Sequence, residues 1–154
     1  MTSYTIHPVG TVEGGRAEAI DDDWGGSRAR ISLDPARFTA EALLGLEAFS
    51  HAEVIFLFDR VTDAEITSGA RHPRGRTDWP RVGIFAQRGK NRPTRLGICI
   101  CRIIGVDGLT LTVEGLDAID GTPVIDIKPV MSGFLPRGNV HEPAWAGAIM
   151  AEYW

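Results

Sequence analysis

The sequence predicts a mostly β protein, a small closed β-barrel or sandwich with one short helix, and three features support this. Six or seven short apolar segments are separated by Gly, Pro and Asp residues. These segments do not alternate with long helical ones, as a parallel α/β sheet would require. The pair Asp107-Gly108 is typical of a hairpin turn. With 154 residues, 44% of them hydrophobic, the chain is expected to fold as one domain over residues 1–154.

The first half of the chain contains three predicted strands and one predicted helix. A first strand is expected over Tyr4–Glu13, and a half-buried second one over Arg28–Leu33, where apolar and polar residues alternate. Thr39 is expected to cap a short helix over Ala40–Leu46. The continuous apolar run Val54–Phe58 predicts a strand buried on both faces.

The second half begins with a long connection and then returns to strands. Residues 59–80 lack clear periodicity, and a loop of about 20 residues is often functional. Asp107-Gly108 suits a type I′ turn, which needs positive φ at both central residues. The remaining elements are predicted strands over Val82–Ala86, Leu96–Val106, Leu109–Glu114 and Val124–Ile127, and a partly helical tail over Pro143–Trp154.

Charge is distributed unevenly along the chain. The net charge is −4, yet residues 71–95, the basic segment, carry eight basic residues against one acid. Such a segment is expected to hold phosphate or nucleic acid. The alternative is a solvated surface whose cations pair with acids from elsewhere in the chain. The candidate substrate-binding residues in this segment are Arg71, Arg74, Arg76, Arg92 and Arg95.

Several classes of protein are disfavoured by composition. Cys99 and Cys101 lie two apart on one predicted strand and share a face, so core packing is expected rather than a zinc site. The histidines have no metal-ligand spacing, and no metal is predicted. No stretch approaches the ~20 apolar residues of a membrane span. No signal peptide is visible, so a cytoplasmic protein with reduced thiols is expected.

Two segments concentrate residues that could bind a ligand. Leu116–Pro129 holds three carboxylates, a glycine turn and a lysine, although Asp-Gly-Thr-Pro is also an ordinary tight turn. Arg88 and Arg92 follow a predicted strand and could grip an anion through bidentate hydrogen bonds, or serve only solubility. No strand is followed by a G-x-G-x-x-G helix opening, so a Rossmann-type nucleotide site is disfavoured.

Taken in order, four segments resemble the TsaA-like (TrmO) family of tRNA-modifying methyltransferases. They are Gly45–His51, Val82–Arg88, the two pairs Arg92-Pro93 and Leu96-Gly97 taken as one segment, and Leu116–Pro129, of which the last is highly specific. The resemblance implies a small closed β-barrel that forms a homodimer and binds S-adenosylmethionine near the subunit interface. It also implies N6-methylation of threonylcarbamoyl-adenosine beside the anticodon of tRNA, without a metal.

The resemblance also assigns site residues by position. The residues expected to contact the cofactor are Arg88, Ile98, Asp120, Gly121, Thr122 and Pro123, together with the strand-end residues Phe58, Asp59, Arg60 and Val61. The acidic loop Asp21–Asp23 or the ring of Trp24 is expected to stabilise the cofactor's positive charge. The cofactor's carboxylate would suit an arginine or the backbone N–H groups at Asp120-Gly121. No catalytic residue is indicated.

The chain departs from the family pattern in three places. Thr94-Arg95 stands where the family commonly has Asn-Pro, and Asp21–Gly26 replaces an Arg-Gln-Pro-Gly loop. The chain also ends soon after the core, without the C-terminal extension of the tRNA-acting members. A non-catalytic S-adenosylmethionine- or RNA-binding barrel is therefore the alternative expectation, and a purely structural interaction protein is a third.

Overall fold

A closed barrel of six antiparallel strands forms the body of the protein in a computed structural model that describes all 154 residues. The strands are β1 (Gly10–Glu13), β2 (Arg28–Leu33), β3 (His51–Leu57), β4 (Ala70–Arg71), β5 (Val82–Gly83), β6 (Leu96–Asp107), β7 (Thr110–Glu114) and β8 (Pro123–Pro129). Around the barrel the strand order is β1-β2-β7-β6-β3-β8, and β8 pairs back onto β1. Two further strands, β4 and β5, form a separate pair. The predicted mostly β barrel is confirmed.

Alternating side chains fill the barrel, because successive residues of a strand point to opposite faces. Ile31, Phe56 and Leu111 are among the largest side chains in a buried core cluster of 15 residues. Cys99 and Cys101 belong to this cluster, as predicted from their spacing. Burial raises the pKa of the Cys101 thiol to about 12 and also raises the pKa of Cys99. Both residues therefore act as small core side chains.

Gly97 leaves room for two aromatic rings at one end of the barrel. A Cβ at this position would lie 2.5 Å from two ring carbons of Phe56 and 2.9 Å from the ring of Phe58. Phe56 is only 1% exposed and meets Phe58 edge-on, with ring centroids 5.2 Å apart. Neither ring can move without disturbing the core, so a side chain at position 97 would overpack it.

Gly97→Ala should therefore lower the free energy of unfolding by about 1–3 kcal/mol, the usual cost of an overpacked core. Urea denaturation followed by circular dichroism measures the change. Gly105→Ala is the matched control, because it also lies in β6 and a Cβ there would meet nothing within 4 Å. Equal stability of the two variants would show that the Phe56 and Phe58 rings do not depend on Gly97.

Two predicted elements in the first half were wrong in extent or type. The first strand begins at Gly10 rather than Tyr4, because residues before Val9 find no partner strand. The predicted helix over Ala40–Leu46 is replaced by two short 3₁₀ turns, Ala40–Leu43 and Leu46–Ala48. Gly45 lies between them with φ of 86°, which interrupts a helix, and the Thr39 side chain makes no capping hydrogen bond.

The buried run and the hairpin turn also differ from prediction. In β3, buried positions alternate with half-buried ones, so Val54–Phe58 is not buried on both faces within one chain. Only Gly108 of the predicted type I′ turn has positive φ, 59°, while Asp107 stays paired with Thr110. Positive φ at the first central residue alone is the pattern of a type II′ turn.

The long connection between β3 and β6 carries more structure than predicted. Residues 59–80 include the strand β4 and two 3₁₀ turns, and the predicted strand Val82–Ala86 is the short β5 followed by a 3₁₀ turn. The tail contains a six-residue helix, α1 (Ala144–Ile149), within the predicted partly helical stretch. No helix in the structure combines the length and hydropathy needed to cross a bilayer.

Candidate functional site

One end of the barrel collects most of the predicted site residues. The carboxyl ends of β1, β3 and β7 lie there beside the amino ends of β2, β6 and β8, because neighbouring strands run antiparallel. The segments that connect these strands cover residues 14–27, 58–95 and 115–122. The tail also returns to this end, as its contacts with residues 23 and 24 show.

Residues Asp120–Pro123, the turn group, form a tight turn that hydrogen bonds to the barrel rim. The backbone N–H groups of Asp120, Gly121 and Thr122 each donate to a protein carbonyl, at 2.7, 2.8 and 3.2 Å. Gly121 has φ of 85°, a conformation that favours glycine. Protein acceptors already engage these N–H groups, which favours the other expectation, that an arginine holds the cofactor's carboxylate.

The Asp120 carboxylate remains available at the surface of the turn group. One of its oxygens accepts a 2.8 Å hydrogen bond from the N–H of Gly14, and the other has no protein donor. Asp120 and Gly121 are exposed, while the Thr122 side chain is buried. The turn group thus presents one negative charge rather than a cradle of N–H donors.

Arg16 organises the acidic loop Asp21–Asp23 and was not singled out by sequence reasoning. Its guanidinium donates to the Asp22 carbonyl at 2.5 Å and to the Asp23 carbonyl, and it stacks 4.3 Å from the centroid of the Trp24 ring. Its own carbonyl accepts from the N–H of Asp120 at 2.7 Å. Trp24 is 4% exposed, so its ring offers a ligand almost no surface. Arg16 joins the acidic loop to the turn group.

Arg88 and Ile98, the strand group, lie together on the outer side of β6. A guanidinium nitrogen of Arg88 donates to the Ile98 carbonyl at 2.7 Å, and both side chains are exposed. Phe58, also predicted to contact the cofactor, lies instead on the inner side of β6, where its ring meets Gly97 and the core residue Phe56. The remaining N–H donors of Arg88 are free to bind an anionic group.

The strand-end residues that follow Phe58 are placed unequally. Asp59 and Arg60 are exposed, whereas Val61 is 6% exposed and points into the protein. The N–H of Val61 donates to the Phe58 carbonyl at 3.2 Å, which closes a tight turn at the end of β3. Only Asp59 and Arg60 of this segment have side chains within reach of a ligand.

The strand group and the turn group do not meet within one chain. Strand β3 separates β6 from β8 in the barrel, so one strand lies between Ile98 and Pro123. No hydrogen bond or ion pair links a residue of one group to a residue of the other. The structure therefore presents two half-sites rather than a single enclosed pocket.

Ion pairs neutralise part of the basic segment. Arg74 pairs with Asp22 at 2.9 Å, Arg76 pairs with Asp78, and Arg95 pairs with Asp63. This part of the segment matches the alternative interpretation, in which cations pair with acids. Two candidate residues have no carboxylate partner: Arg71 donates to the Asn91 side chain at 3.2 Å and Arg92 to the Gln87 carbonyl at 2.8 Å.

A contact between Asp117 and the tail was also missed by sequence reasoning. The Tyr153 hydroxyl donates to the Asp117 carboxylate at 2.5 Å. Burial, and then the negative charge of Asp117, raise the pKa of Tyr153 well above its usual value. The N–H of Trp24 donates to the Tyr153 carbonyl at 2.7 Å. The tail is thus fastened to the end of the barrel that carries the turn group.

No set of three or more His, Cys, Asp or Glu side chains comes together in a way that could hold a metal ion. The charged groups of the two half-sites are instead one exposed arginine, Arg88, and one exposed carboxylate, Asp120. An arginine and a carboxylate together suit a ligand that carries both an anionic and a cationic group. S-Adenosylmethionine, with a carboxylate, an amino group and a sulfonium, is such a ligand.

Comparison with known proteins identifies the family. Residues 23–134 match the family described as the tRNA-methyltransferase O N-terminal domain. A human tRNA (adenine(37)-N6)-methyltransferase is 33% identical over 116 residues, which cover 75% of this chain and 25% of that protein. A protein of the same name from Escherichia coli is 38% identical over 96 residues, covering 60% of this chain and 40% of that protein.

A solved structure agrees with the sequence comparison. The structure of TrmO from Pseudomonas aeruginosa superposes with a TM-score of 0.73 at 26% identity, and the match covers 91% of this chain and 62% of that one. The chain spans only about a quarter of the length of the human relative and two fifths of the Escherichia coli relative. The matched region contains both half-sites and the basic segment, and the chain belongs to the TrmO family.

Proposed function

We propose that this protein binds S-adenosylmethionine and transfers its methyl group to N6 of threonylcarbamoyl-adenosine in tRNA. The observation that carries the proposal is the family match over residues 23–134, together with relatives named tRNA (adenine(37)-N6)-methyltransferase. A protein from Archaeoglobus fulgidus that is 35% identical over 99 residues is named a probable S-adenosyl-L-methionine-binding protein, which supports the cofactor independently of the acceptor.

The exposed charges of the half-sites support cofactor binding. S-Adenosylmethionine supplies an activated methyl group on a positively charged sulfur. The protein has to hold it in line with the acceptor and exclude water. Arg88 is proposed to bind the carboxylate of the cofactor through its free N–H donors. Asp120 is proposed to accept from its amino or hydroxyl groups through the oxygen that lacks a protein donor.

We propose that the site is completed by a second copy of the chain. Ile98, Ile100 and Ile104 on the outer side of β6 are 43%, 47% and 37% exposed. Ile98 and Ile100 adjoin the half-buried residues Ile55 and Leu57 of β3 in one apolar stripe, and the exposed Arg102 separates Ile104 from it. An apolar face beside Arg88 would be covered in a homodimer, and the strand group of one subunit would then lie near the turn group of its partner.

The tRNA is proposed to approach the basic segment. The proposed contacts to phosphate are cations of this segment that have no carboxylate partner. They are Arg71, Arg92, Arg81 and Lys90. The ion pairs of Arg74 and Arg95 would instead fix the shape of the segment.

We also propose that the chain works in the cytoplasm as one folding unit, since its two thiols are free and lie in one core.

Incubation with methyl-labelled S-adenosylmethionine and total tRNA tests the proposed function. We expect label in the tRNA, and digestion to nucleosides should place it on N6 of modified adenosine. A parallel reaction with tRNA that lacks the threonylcarbamoyl group should incorporate much less label. If the protein binds the cofactor but leaves both tRNA pools unlabelled, transfer to tRNA is excluded.

One observation favours a second candidate, a binding module without transfer activity. Arg95, which replaces a family proline, has φ of 52° and pairs with Asp63, so the segment between Arg92 and Gly97 has its own local geometry. A non-catalytic barrel would bind S-adenosylmethionine or RNA and incorporate no label. The same incubation therefore separates the two candidates.

A further inference from the structure

A cleft of about 370 Å³ lies between the basic segment and the tail. Each of its two walls contributes one tryptophan. Its lining residues are Asp78, Trp79 and Pro80 from the basic segment and Ala144, Trp145 and Ala148 from the tail. The proposed cofactor and phosphate contacts make no use of this cleft.

Local contacts hold Trp79 in place. Its carbonyl hydrogen bonds to a ring nitrogen of His72 at 2.8 Å, and its N–H donates to the Arg76 carbonyl at 3.3 Å. The Arg76 guanidinium stacks on the Trp79 ring, 4.1 Å from the centroid, and is itself held by Asp78. The wall formed by the basic segment is therefore largely preformed in the absence of a ligand.

The wall formed by the tail is held in place by contacts of the last residues of the chain. The N–H groups of Asp23 and Trp24 donate to the carbonyls of Glu152 and Tyr153, at 2.9 and 2.7 Å. Gly25 lets the chain approach closely, because a Cβ there would lie 2.7 Å from the carbonyl carbon of Trp154. These contacts bring α1, and with it Trp145, against the Trp79 wall. A preformed cleft costs little conformational entropy when a ligand enters it.

The lining favours the flat face of a nucleobase. Aromatic rings beside basic side chains are the combination by which proteins hold single-stranded nucleic acid, through stacking and charge. Arg81 follows Pro80 in the chain, is exposed and has no carboxylate partner, so its charge is available to a phosphate. A base in a duplex cannot offer its face to such a cleft, because both its faces are stacked.

We propose that the cleft takes an unstacked base of single-stranded RNA, held by Trp79 and Trp145. The inference rests on the proposed function, because it names the part of an RNA acceptor that the chain grips beside the reacting nucleotide. The tail that carries Trp145 is fastened to Asp117 and Trp24, next to the turn group. The cleft and the proposed cofactor site thus share one end of the barrel.

Fluorescence anisotropy with a short labelled single-stranded RNA tests this inference on the full chain. Trp79→Ala combined with Trp145→Ala should weaken binding about tenfold or more, since each stacked base is worth about 1–3 kcal/mol. The same RNA annealed to its complement should show little change. The double Phe variant keeps aromatic faces and should bind nearly as the native protein does. Phe134→Ala removes an aromatic ring that is 89% exposed outside the cleft and should have no effect.

The results that would overturn the inference are distinct from failure of the proposed function. Unchanged affinity of the double Ala variant would remove the cleft from RNA binding, as would an equal loss for the duplex. Equal losses in the double Phe and double Ala variants would show a structural or protein-docking role. Titration with S-adenosylmethionine should give the same affinity for both variants and the native protein. Methyl transfer by the native protein tests the proposed function separately.

Discussion

Arg88→Ala should weaken binding of S-adenosylmethionine about 10- to 100-fold. Hydrogen bonds to charged groups contribute about 1.5–3 kcal/mol, and each 1.4 kcal/mol is a factor of ten in affinity. The fold should be unaffected, because the Arg88 side chain is exposed and its recorded protein contact is the Ile98 carbonyl. Isothermal titration calorimetry of the variant against the native protein measures the loss.

Two further variants make the Arg88 result specific. Arg88→Lys keeps the positive charge but loses the bidentate geometry, so its affinity should be intermediate. Arg37→Ala removes another exposed arginine, one that lies in the connection between β2 and β3 at the opposite end of the barrel and donates to the Pro8 carbonyl, and should leave affinity unchanged. If Arg88→Ala binds as tightly as the native protein, Arg88 is not part of the cofactor site.

Ile100→Asp should convert a homodimer into monomers. Ile100 is 47% exposed in the isolated chain, so the folded monomer should tolerate the change. In the proposed dimer the new carboxylate would be buried in the apolar stripe, and like charges brought together cost several kcal/mol. A cost of about 3 kcal/mol raises the dissociation constant of the dimer more than 100-fold. Sedimentation equilibrium measures this constant directly.

The same variant tests whether the cofactor site is shared between subunits. If the strand group of one subunit meets the turn group of its partner, Ile100→Asp should lose cofactor affinity together with the dimer. Val140→Asp places the same charge at a 71% exposed position in the tail and should change neither property. A monomeric Ile100→Asp variant with native cofactor affinity would place both half-sites in one chain and contradict the shared site.

The barrel could be predicted where one face of a strand is covered within the chain. Arg28–Leu33 alternates between buried core and outside, and the predicted strand matches β2 at both ends. The apolar run at Val54–Phe58 was misread because periodicity does not reveal what covers the second face. Ile55 lies beside Ile98, and both form part of the stripe that one chain leaves uncovered. If a second copy of the chain covers this stripe, the strand at Val54–Phe58 is buried on both faces in the dimer, as the apolar run predicts.

Only the site residues that lie within short local motifs could be predicted from the sequence. Arg88 and Asp120 were named from segments that resemble a family. Their partners are set by the closure of the barrel: Gly14 and Asp120 are 106 positions apart, and Asp117 and Tyr153 are 36 apart. No spacing rule connects such residues. Arg16 was missed for the same reason, since only the folded chain shows that it joins the acidic loop to the turn group.

Titration of the native protein with S-adenosylmethionine is the most direct test of the central claim, that this barrel is a binding site for that cofactor. We expect saturable heat with one cofactor bound per subunit and a clear loss of affinity in Arg88→Ala. S-Adenosylhomocysteine, which lacks the transferred methyl group and the sulfonium charge, should compete for the same site. Absence of binding at high micromolar cofactor, in a protein shown to be folded, would contradict the claim.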